Sequence, residues 1–240
     1  MKSPKNSSIR QTCLGVFGKY WQPGKVKTRL ASRIGDQSAS SVYLAFLRTI
    51  LKRFAQVADH RVLAYSPSNR KREFAALGGE CWELVPQVAD DCRAEPDLGQ
   101  RMKDFFDLRF RQGNGRVVLI GSDAPTVPLD FVEQAFAALA EQQAVVGPAE
   151  DGGYYLVGMS QFEPRIFDNI QWSTRHVFEQ TIARFRELNL SYSALPEGND
   201  VDDLQDLLRL RKELRDARPP DAHCARLLAE LDGLLKELPL

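Results

Sequence analysis

The sequence has no long apolar run and no excess of charge of either sign. No stretch approaches the roughly 18 consecutive apolar residues that indicate a transmembrane helix. The 32 Lys and Arg residues balance 32 Asp and Glu residues, which argues against a surface that binds nucleic acid over the whole protein. Residues 1–11 are polar and basic, without the apolar segment of a secretory signal. We therefore expect a cytoplasmic protein with no nucleic-acid or membrane partner, whose residues 1–11 are disordered or loosely ordered.

Cysteine and histidine are scarce and scattered. The cysteines form no C-x-x-C pair, and no histidine lies nearby at zinc-ligand spacing, so we expect reduced thiols rather than a metal site. The histidines fall in no Ser/His/Asp pattern, which argues against hydrolysis by a catalytic triad. These residues are Cys13, Cys81, Cys92, Cys224, His60, His176 and His223.

Apolar runs typical of buried strands alternate with segments of helical periodicity. The clearest strands are residues 12–18 and 116–121, and the longest helical pattern covers 38–57. Such alternation predicts an α/β fold with a mainly parallel sheet and helices on both faces. Further strands are predicted at 60–66, 82–86, 143–146, 154–158 and 190–195, and helices at 69–77, 98–110, 129–139 and 174–188.

The carboxyl-terminal part predicts a helical extension. Residues 203–240 contain two helical patterns that are interrupted at Pro219–Pro220. We expect one domain over 12–218 and a helix within 219–240. A leucine stripe on that helix either packs on the domain or forms the contact of a homodimer. The stripe consists of Leu227, Leu228, Leu231, Leu234, Leu235 and Leu238.

A basic loop follows the first predicted strand. Lys19, Lys25, Lys27 and Arg29 surround a turn at Gly24. Glycine allows the backbone to approach a ligand closely, and Lys and Arg side chains bind phosphate oxygens. The loop lacks the residues of a Walker motif and of a G-x-G-x-x-G motif. Composition alone is equally consistent with a solvated loop, but its place after the first strand of an α/β sheet favours phosphate binding.

Acidic residues follow three other predicted strands. Asp123 comes directly after the strand 116–121, where it either ligates a divalent cation or begins a turn. Asp200 and Asp202 follow the last strand, and in an extended segment their side chains point the same way. One of them beside Asp123 would complete a metal site.

The third acidic segment contains two glycines. Asp151, Gly152 and Gly153 lie between the predicted strands 143–146 and 154–158. They form either an ordinary hairpin turn or a bare backbone surface that faces a substrate.

A basic loop and acidic strand ends together predict phosphoryl or sugar transfer from a nucleotide, because cations neutralise the charge of the leaving group.

Several of these segments, taken in order, resemble a known family. The sequence is similar to the selenodomain-associated or arsenosugar-biosynthesis-type glycosyltransferases, formerly a domain of unknown function, within the GT-A-like nucleotide-diphospho-sugar transferase superfamily. More distantly it resembles the phospholactate and molybdenum-cofactor guanylyltransferases. The matching segments lie at 19–31, 98–102, 118–125, 147–156, 172–174 and 200–207.

The resemblance implies a Rossmann-like GT-A fold and assigns roles to the residues above. The donor phosphates would be bound by the basic loop, with Leu98 and Gly99 facing the base or ribose. Mg²⁺ or Mn²⁺ would be held by Asp123 with Asp202 or Asp200, and Asp151, Gly152 and Gly153 would face the acceptor. The phosphate-binding residues are Lys19, Gly24, Lys25, Lys27, Thr28 and Arg29, of which Lys27 and Arg29, with Asp123, are the predicted catalytic residues.

One position departs from the family pattern. Trp21 stands where the family tends to have proline. Its ring either stacks on a base or fills the underside of the basic loop.

Two reactions fit this pattern. The family favours a glycosyltransferase that uses a nucleotide sugar and a small-molecule acceptor. Four cations in one loop favour nucleotidyl transfer from a nucleoside triphosphate with release of pyrophosphate. A third possibility is a nucleotide-binding module that has lost activity.

Overall fold

Seven strands form one sheet in the computed structural model, which describes residues 11–88, 97–217 and 221–236. Residues 1–10, Cys92 and Pro219–Pro220 lie outside the described residues. The strands are β1 (Thr12–Lys19), β2 (His60–Ser66), β3 (Glu83–Pro86), β4 (Arg116–Ile120), β5 (Ala144–Pro148), β6 (Tyr154–Met159) and β7 (Tyr192–Ala194). Their order is β3-β2-β1-β4-β6-β5-β7.

The sheet is mainly parallel, as predicted. Only β6 of the described strands runs antiparallel to its neighbours β4 and β5. Five residues, 149–153, separate β5 from β6. A connection this short closes a hairpin, whereas a parallel crossover needs a dozen or more residues.

Helices cover both faces of the sheet, as predicted. The helices are α1 (Thr28–Ile34), α2 (Asp36–Arg53), α3 (Lys71–Gly78), α4 (Leu98–Arg111), α5 (Leu129–Glu141), α6 (Val177–Glu187), α7 (Leu204–Asp216) and α8 (Ala222–Lys236). Alternate residues of β4 point to opposite faces. Val118 joins the core formed with α2, α3 and α5, whereas Val117 joins the core formed with α4 and α6.

The helix α1 was not predicted. The first helix was predicted to begin at residue 38. The structure instead places seven residues in α1, and Gly35 separates it from α2 with a φ of +82°. A helix of two turns is marginal by itself. Its stability depends on burying Leu30 and Ile34 in a third core cluster, which α1 forms with α2, α7 and α8.

The last two helices belong to the same cluster. Leu227, Leu231 and Leu235 of α8 are buried with residues of α1, α2 and α7. Arg48 of α2 also forms an ion pair with Glu230 of α8 at 2.9 Å. Leu238 lies outside the described residues, and the homodimer stays a prediction.

None of the helices within the described ranges is both long and apolar enough to span a bilayer.

The topology brings distant segments to one edge of the sheet. The strand order reverses at β1, which lies between β2 and β4, so the carboxyl ends of β1 and β4 are adjacent. After β7 the chain returns across the sheet: Gly198 pairs with Ala149, and the Val201 amide donates to the Asp123 carbonyl at 3.1 Å. Residues 200–202 therefore reach Asp123 although β7 is the far edge strand.

A capping box fixes the end of this returning segment. The Asp203 carboxylate accepts hydrogen bonds from the amides of Gln205 and Asp206 at the start of α7. The Asp206 carboxylate in turn accepts from the amides of Asp202 and Asp203. These reciprocal bonds hold the backbone of Asp202 beside the site.

Replacing Asp203 by alanine should destabilise the protein. Loss of the cap costs about 1–2 kcal/mol, which corresponds to a melting temperature lower by about 2–8 °C in thermal unfolding. The matched control is Lys212→Ala on the exposed side of the same helix, which should change the free energy of unfolding by less than about 0.5 kcal/mol. Equal losses in both variants would contradict a capping role.

Candidate functional site

A cavity of about 410 Å³ opens at the carboxyl ends of β1 and β4. This is where ligands bind in open α/β sheets, because the strand order reverses there. The cavity combines five cationic side chains with two carboxylates. It is lined by Phe17, Lys19, Lys25, Val26, Lys27, Thr28, Arg29, Tyr43, Gln87, Leu98, Arg101, Ser122, Asp123 and Asp202.

Most of the predicted phosphate-binding and metal-binding residues therefore line one cavity. The basic loop wraps its entrance, and Lys19, Lys25 and Arg29 are exposed there. Asp123 and Asp202 face the same space from the ends of β4 and the returning segment. The predicted residues that line it are Lys19, Lys25, Lys27, Thr28, Arg29, Leu98, Asp123 and Asp202.

Lys27 is the buried cation of this cavity. Its side chain is only 3% exposed, and its ammonium forms an ion pair with Asp123. The same Nζ donates to Oδ1 of Asp202 at 3.3 Å. Lys27 precedes α1 with a φ of +46°, a left-handed conformation that is costly for a residue with a side chain. Lys27 thus combines a strained backbone conformation with an ammonium that contacts both carboxylates.

The neighbouring charges keep Lys27 protonated. Burial would lower the pKa of the ammonium, but the charges of Asp123 and Asp202 and their hydrogen bonds outweigh burial and raise the pKa above its ordinary value. Arg29 adds a second cation, with Nη1 3.6 Å from Oδ2 of Asp202. The two carboxylates are thus balanced by two cations.

A buried hydroxyl pair supports the base of the cavity. The Tyr43 hydroxyl accepts a hydrogen bond from the Lys19 amide at 2.8 Å and bonds with Oγ of Ser122, also at 2.8 Å. Burial raises the pKa of Tyr43, so its hydroxyl stays neutral. Through this network α2 connects the end of β1 with the residue before Asp123.

A second, acidic cavity of about 190 Å³ adjoins the first and shares Arg29 and Asp202 with it. Asp151 and Asp200 line it, together with Glu150, Asp203, Asp206 and Arg209. Burial raises the pKa of Asp200 to about 7, and the charges of Asp151 and Asp123 act in the same direction. The second cavity therefore contains a carboxyl group whose pKa lies well above that of an ordinary aspartate.

The predicted metal ligands are brought together only in part. Asp123 and Asp202 meet at the Lys27 ammonium. Within residues 11–88, 97–217 and 221–236, no three His, Cys, Asp or Glu side chains converge as ligands of one ion. The assignment of Asp123, Asp200 and Asp202 to a metal stays a prediction.

Four predicted glycines lie outside the lining of both cavities. A Cβ on Gly99 would lie 2.5 Å from Nε1 of Trp172, and a Cβ on Gly152 would lie 2.1 Å from the Arg175 carbonyl oxygen. Close packing thus accounts for these two glycines. Gly24 and Gly153 are the other two; Gly24 turns the basic loop with a φ of +74°.

Residues 149–153 form the hairpin connection between β5 and β6. The Gly153 amide donates to the Asp151 carboxylate at 2.8 Å, which closes the turn. The Asp151 side chain nevertheless lines the acidic cavity. The acceptor-side role predicted for Asp151, Gly152 and Gly153 stays a prediction.

Trp21 fills the underside of the basic loop. Its ring packs against Phe74 with centroids 5.3 Å apart and against Tyr20 at 5.0 Å. It does not line the main cavity. Of the two alternatives, the structure supports the one in which Trp21 supports the loop from below.

Gln87 and Arg101 also line the main cavity, although neither was predicted as a site residue. The Gln87 amide nitrogen donates to the carbonyls of Gly18 and Ala64, which leaves its oxygen to accept from Nη1 of Arg101 at 3.0 Å. Arg101 forms no ion pair with any described residue, and its Nε is buried without a hydrogen-bond partner there. Two features of the sequence could have identified these residues as site residues. Gln87 directly follows a predicted strand, and Arg101 lies in the segment 98–102 that resembles the family.

A family model matches the middle of the chain. The model described as "Uncharacterized protein conserved in bacteria (DUF2064)" matches residues 49–174, which include Arg101, Asp123 and Asp151. No curated protein matches the sequence significantly.

Solved structures extend the similarity to the whole fold. A protein from Desulfovibrio desulfuricans G20, named provisionally as a nucleotide-diphospho-sugar transferase, is 34% identical over 95% of this chain and 98% of that chain, with a TM-score of 0.83. The resemblance to this superfamily and the GT-A-like fold are thereby confirmed.

Two more distant structures share the fold alone. Glucosyl-3-phosphoglycerate synthase from Mycobacterium tuberculosis, solved with Mn²⁺, UDP and glucosyl-3-phosphoglycerate, is 12% identical, with a TM-score of 0.54 over 94% of this chain and 80% of that chain. A cytidylyltransferase from Leptospira borgpetersenii serovar Hardjo-bovis is 12% identical, with a TM-score of 0.51 over 96% and 99%. The fold thus occurs in both glycosyl- and nucleotidyltransferases.

The raised pKa of Asp200 predicts a pH-dependent stability. The folded protein retains a proton that the unfolded chain loses near pH 3.8, so in metal-free buffer stability should fall as pH rises from about 4 to about 7. Asp200→Asn, which resembles the protonated form, should remove this fall. In thermal unfolding the variant should melt above the wild type at pH 8 and with it near pH 4.

The control is Glu133→Gln on the exposed side of α5, which should follow the wild-type profile. Parallel profiles of wild type and Asp200→Asn across this pH range would show that Asp200 is ionised throughout in the folded protein.

Proposed function

The chain belongs to the DUF2064 family, and we propose that it is a metal-dependent transferase that uses a nucleotide-activated donor and a small-molecule acceptor. The donor class that we favour is a nucleotide sugar, which makes the enzyme glycosyltransferase-like. The observation that carries the proposal is the main cavity, where a basic loop faces two carboxylates at the reversal of strand order.

The cationic residues suit the phosphates of such a donor. Lys19, Lys25 and Arg29 are exposed at the cavity entrance and approach from one loop. Charge-assisted hydrogen bonds from Lys and Arg to phosphate oxygens are stronger than bonds between neutral groups. The loop therefore orients the donor with its phosphates towards Asp123 and Asp202.

The two carboxylates fit a divalent cation. Asp123 and Asp202 already contact one ammonium, so their positions accommodate a single cation between them. Mg²⁺ is commonly held by one or two carboxylates together with substrate phosphates and water. Asp123 and Asp202 would hold the ion, and bound there it would neutralise charge on the departing phosphate group.

Nucleotidyl transfer is the second candidate. The observation that favours it is the number of cations: Lys19, Lys25, Lys27, Arg29 and Arg101 all line the main cavity. That charge suits a triphosphate and a pyrophosphate leaving group better than a diphosphate. The protein of 34% identity, named as a nucleotide-diphospho-sugar transferase, supports the first candidate.

A thermal-shift panel tests the proposal and separates the two candidates. With Mg²⁺ or Mn²⁺ present, a bound donor should raise the melting temperature by mass action. The largest shift with a nucleotide sugar or its diphosphate supports glycosyl transfer, whereas the largest shift with a triphosphate supports nucleotidyl transfer. No shift with any of these compounds would contradict the proposal and favour an inactive module.

Asp123→Asn should abolish the metal-dependent part of that shift. It removes one of the two converging carboxylates, so the shift with donor should be the same with Mn²⁺ and with EDTA. The variant should also melt below the wild type without ligand, because buried Lys27 loses a partner. The control is Asp107→Asn on the solvent side of α4, in which the metal dependence should persist.

Arg101→Met should weaken donor binding. Gln87 holds the guanidinium at the cavity wall, and a hydrogen bond to a charged group contributes about 1.5–3 kcal/mol. Titration calorimetry with the best donor of the panel should show an affinity lower by about tenfold or more. Lys103→Met, which removes an equal charge that α4 pairs with Asp168, is the control; equal effects in both variants would indicate a general loss of positive charge.

A further inference from the structure

The Lys27 ammonium stands between the two carboxylates that the proposed function assigns to a metal. It forms an ion pair with Asp123 and lies 3.3 Å from Oδ1 of Asp202. Its side chain is 3% exposed, whereas those of Asp123 and Asp202 are 49% and 38% exposed. The carboxylates are thus open to the cavity while the cation between them is enclosed.

Lys27 competes with a divalent ion for the same two carboxylates. Asp123 and Asp202 carry two negative charges, and Lys27 with Arg29 already supplies two positive charges. If a divalent ion bound to Asp123 and Asp202 while Lys27 stayed in place, the ion and the Lys27 ammonium would contact the same two carboxylates. Like charges this close repel strongly in a partly buried site.

The main cavity also offers the Lys27 ammonium an alternative position. Lys27 lines this cavity with Lys19 and Lys25, where donor phosphates would bind under the proposed function. Phosphate oxygens in the cavity offer its ammonium new anionic partners. Donor phosphates would therefore replace the ion pairs that Lys27 loses when it leaves the carboxylates. The cavity without a donor offers no such replacement.

We propose that Lys27 is an internal substitute for the divalent ion, so that metal and donor bind cooperatively. In the free protein Lys27 holds Asp123 and Asp202 together and excludes the ion. Donor phosphates draw Lys27 away, and the ion then binds between the carboxylates. This inference rests on the proposed function for the donor, whereas the exclusion of the ion by Lys27 is independent of it.

Mn²⁺ binding to the free protein tests the exclusion. The concentration of free Mn²⁺ is measured by electron paramagnetic resonance during titration of wild type, Lys27→Met and Lys25→Met, without nucleotide. Lys27→Met should bind one Mn²⁺ at least tenfold more tightly than wild type. The control removes an exposed lysine of the same cavity that has no ion pair with a described residue, and it should change the affinity less than threefold.

Equal or weaker binding by Lys27→Met would overturn the proposal, and so would an equal gain in both variants. Circular dichroism establishes that the variants are folded. A second measurement uses wild type alone, in case Lys27→Met does not fold. Reductive methylation with formaldehyde and borohydride, read by mass spectrometry, should label Lys27 little in the free protein and at least threefold more at saturating Mn²⁺, with Lys25 as internal reference. Unchanged labelling of Lys27 would also overturn the proposal.

The donor is tested separately with ADP, CDP, GDP and UDP. One of them should tighten Mn²⁺ binding to wild type at least tenfold and to Lys27→Met much less. If none binds while Lys27→Met still gains Mn²⁺ affinity, the exclusion stands and the nucleotide-sugar donor that the proposed function favours is contradicted. If one binds and tightens Mn²⁺ binding equally in both proteins, the proposed function stands and Lys27 is not the basis of the cooperativity.

Discussion

The contact of one lysine with two aspartates connects the parts of the chain that form this site. Lys27 comes from the start of α1, Asp123 from the end of β4 and Asp202 from the segment before α7. Three further contacts join these segments: the Arg29–Asp202 ion pair, the hydrogen bond from the Val201 amide to the Asp123 carbonyl, and the packing of Leu30 with Val201. A buried charge pair that loses one partner is strongly destabilising, so the stability of this edge and the chemistry of the cavity depend on the same ammonium.

The surrounding structure keeps these groups in place at several levels. The capping box of α7 fixes the backbone of Asp202, and Tyr43 links the end of β1 to Ser122. Trp21 and Phe74 support the basic loop from below. Trp21 and Phe74 lie outside the lining of the main cavity, whereas Tyr43 and Ser122 are part of it. Each of these contacts restricts the position of a residue that lines the cavity. Rigid support of this kind is what a site needs to hold charges in a defined arrangement.

The sequence predicts the fold and the location of the site better than its internal contacts. Apolar runs identify β1 and β4, and the rule that ligands bind at the carboxyl ends of strands then points to Lys19 and Asp123. The helix α1 escaped prediction because seven residues give too few turns for a periodic pattern.

The pairing of Lys27 with Asp123 and Asp202 could not be predicted for a different reason. It depends on a left-handed backbone at residue 27 and on the return of the chain from β7 to β4. Local composition carries no signal for either feature. The contact of Arg101 with Gln87 is likewise non-local, because the Gln87 amide is oriented by carbonyls of two other strands.

The two cavities differ in charge although they share a wall. The main cavity has five cationic side chains and two carboxylates, whereas the acidic cavity has six carboxylates and two arginines. Arg29 and Asp202 line both. The electrostatic field therefore favours an anion in the first space over the second. Arg29 and Asp202 therefore lie at the boundary between a basic and an acidic environment, and each of them contributes to the electrostatic field on both sides.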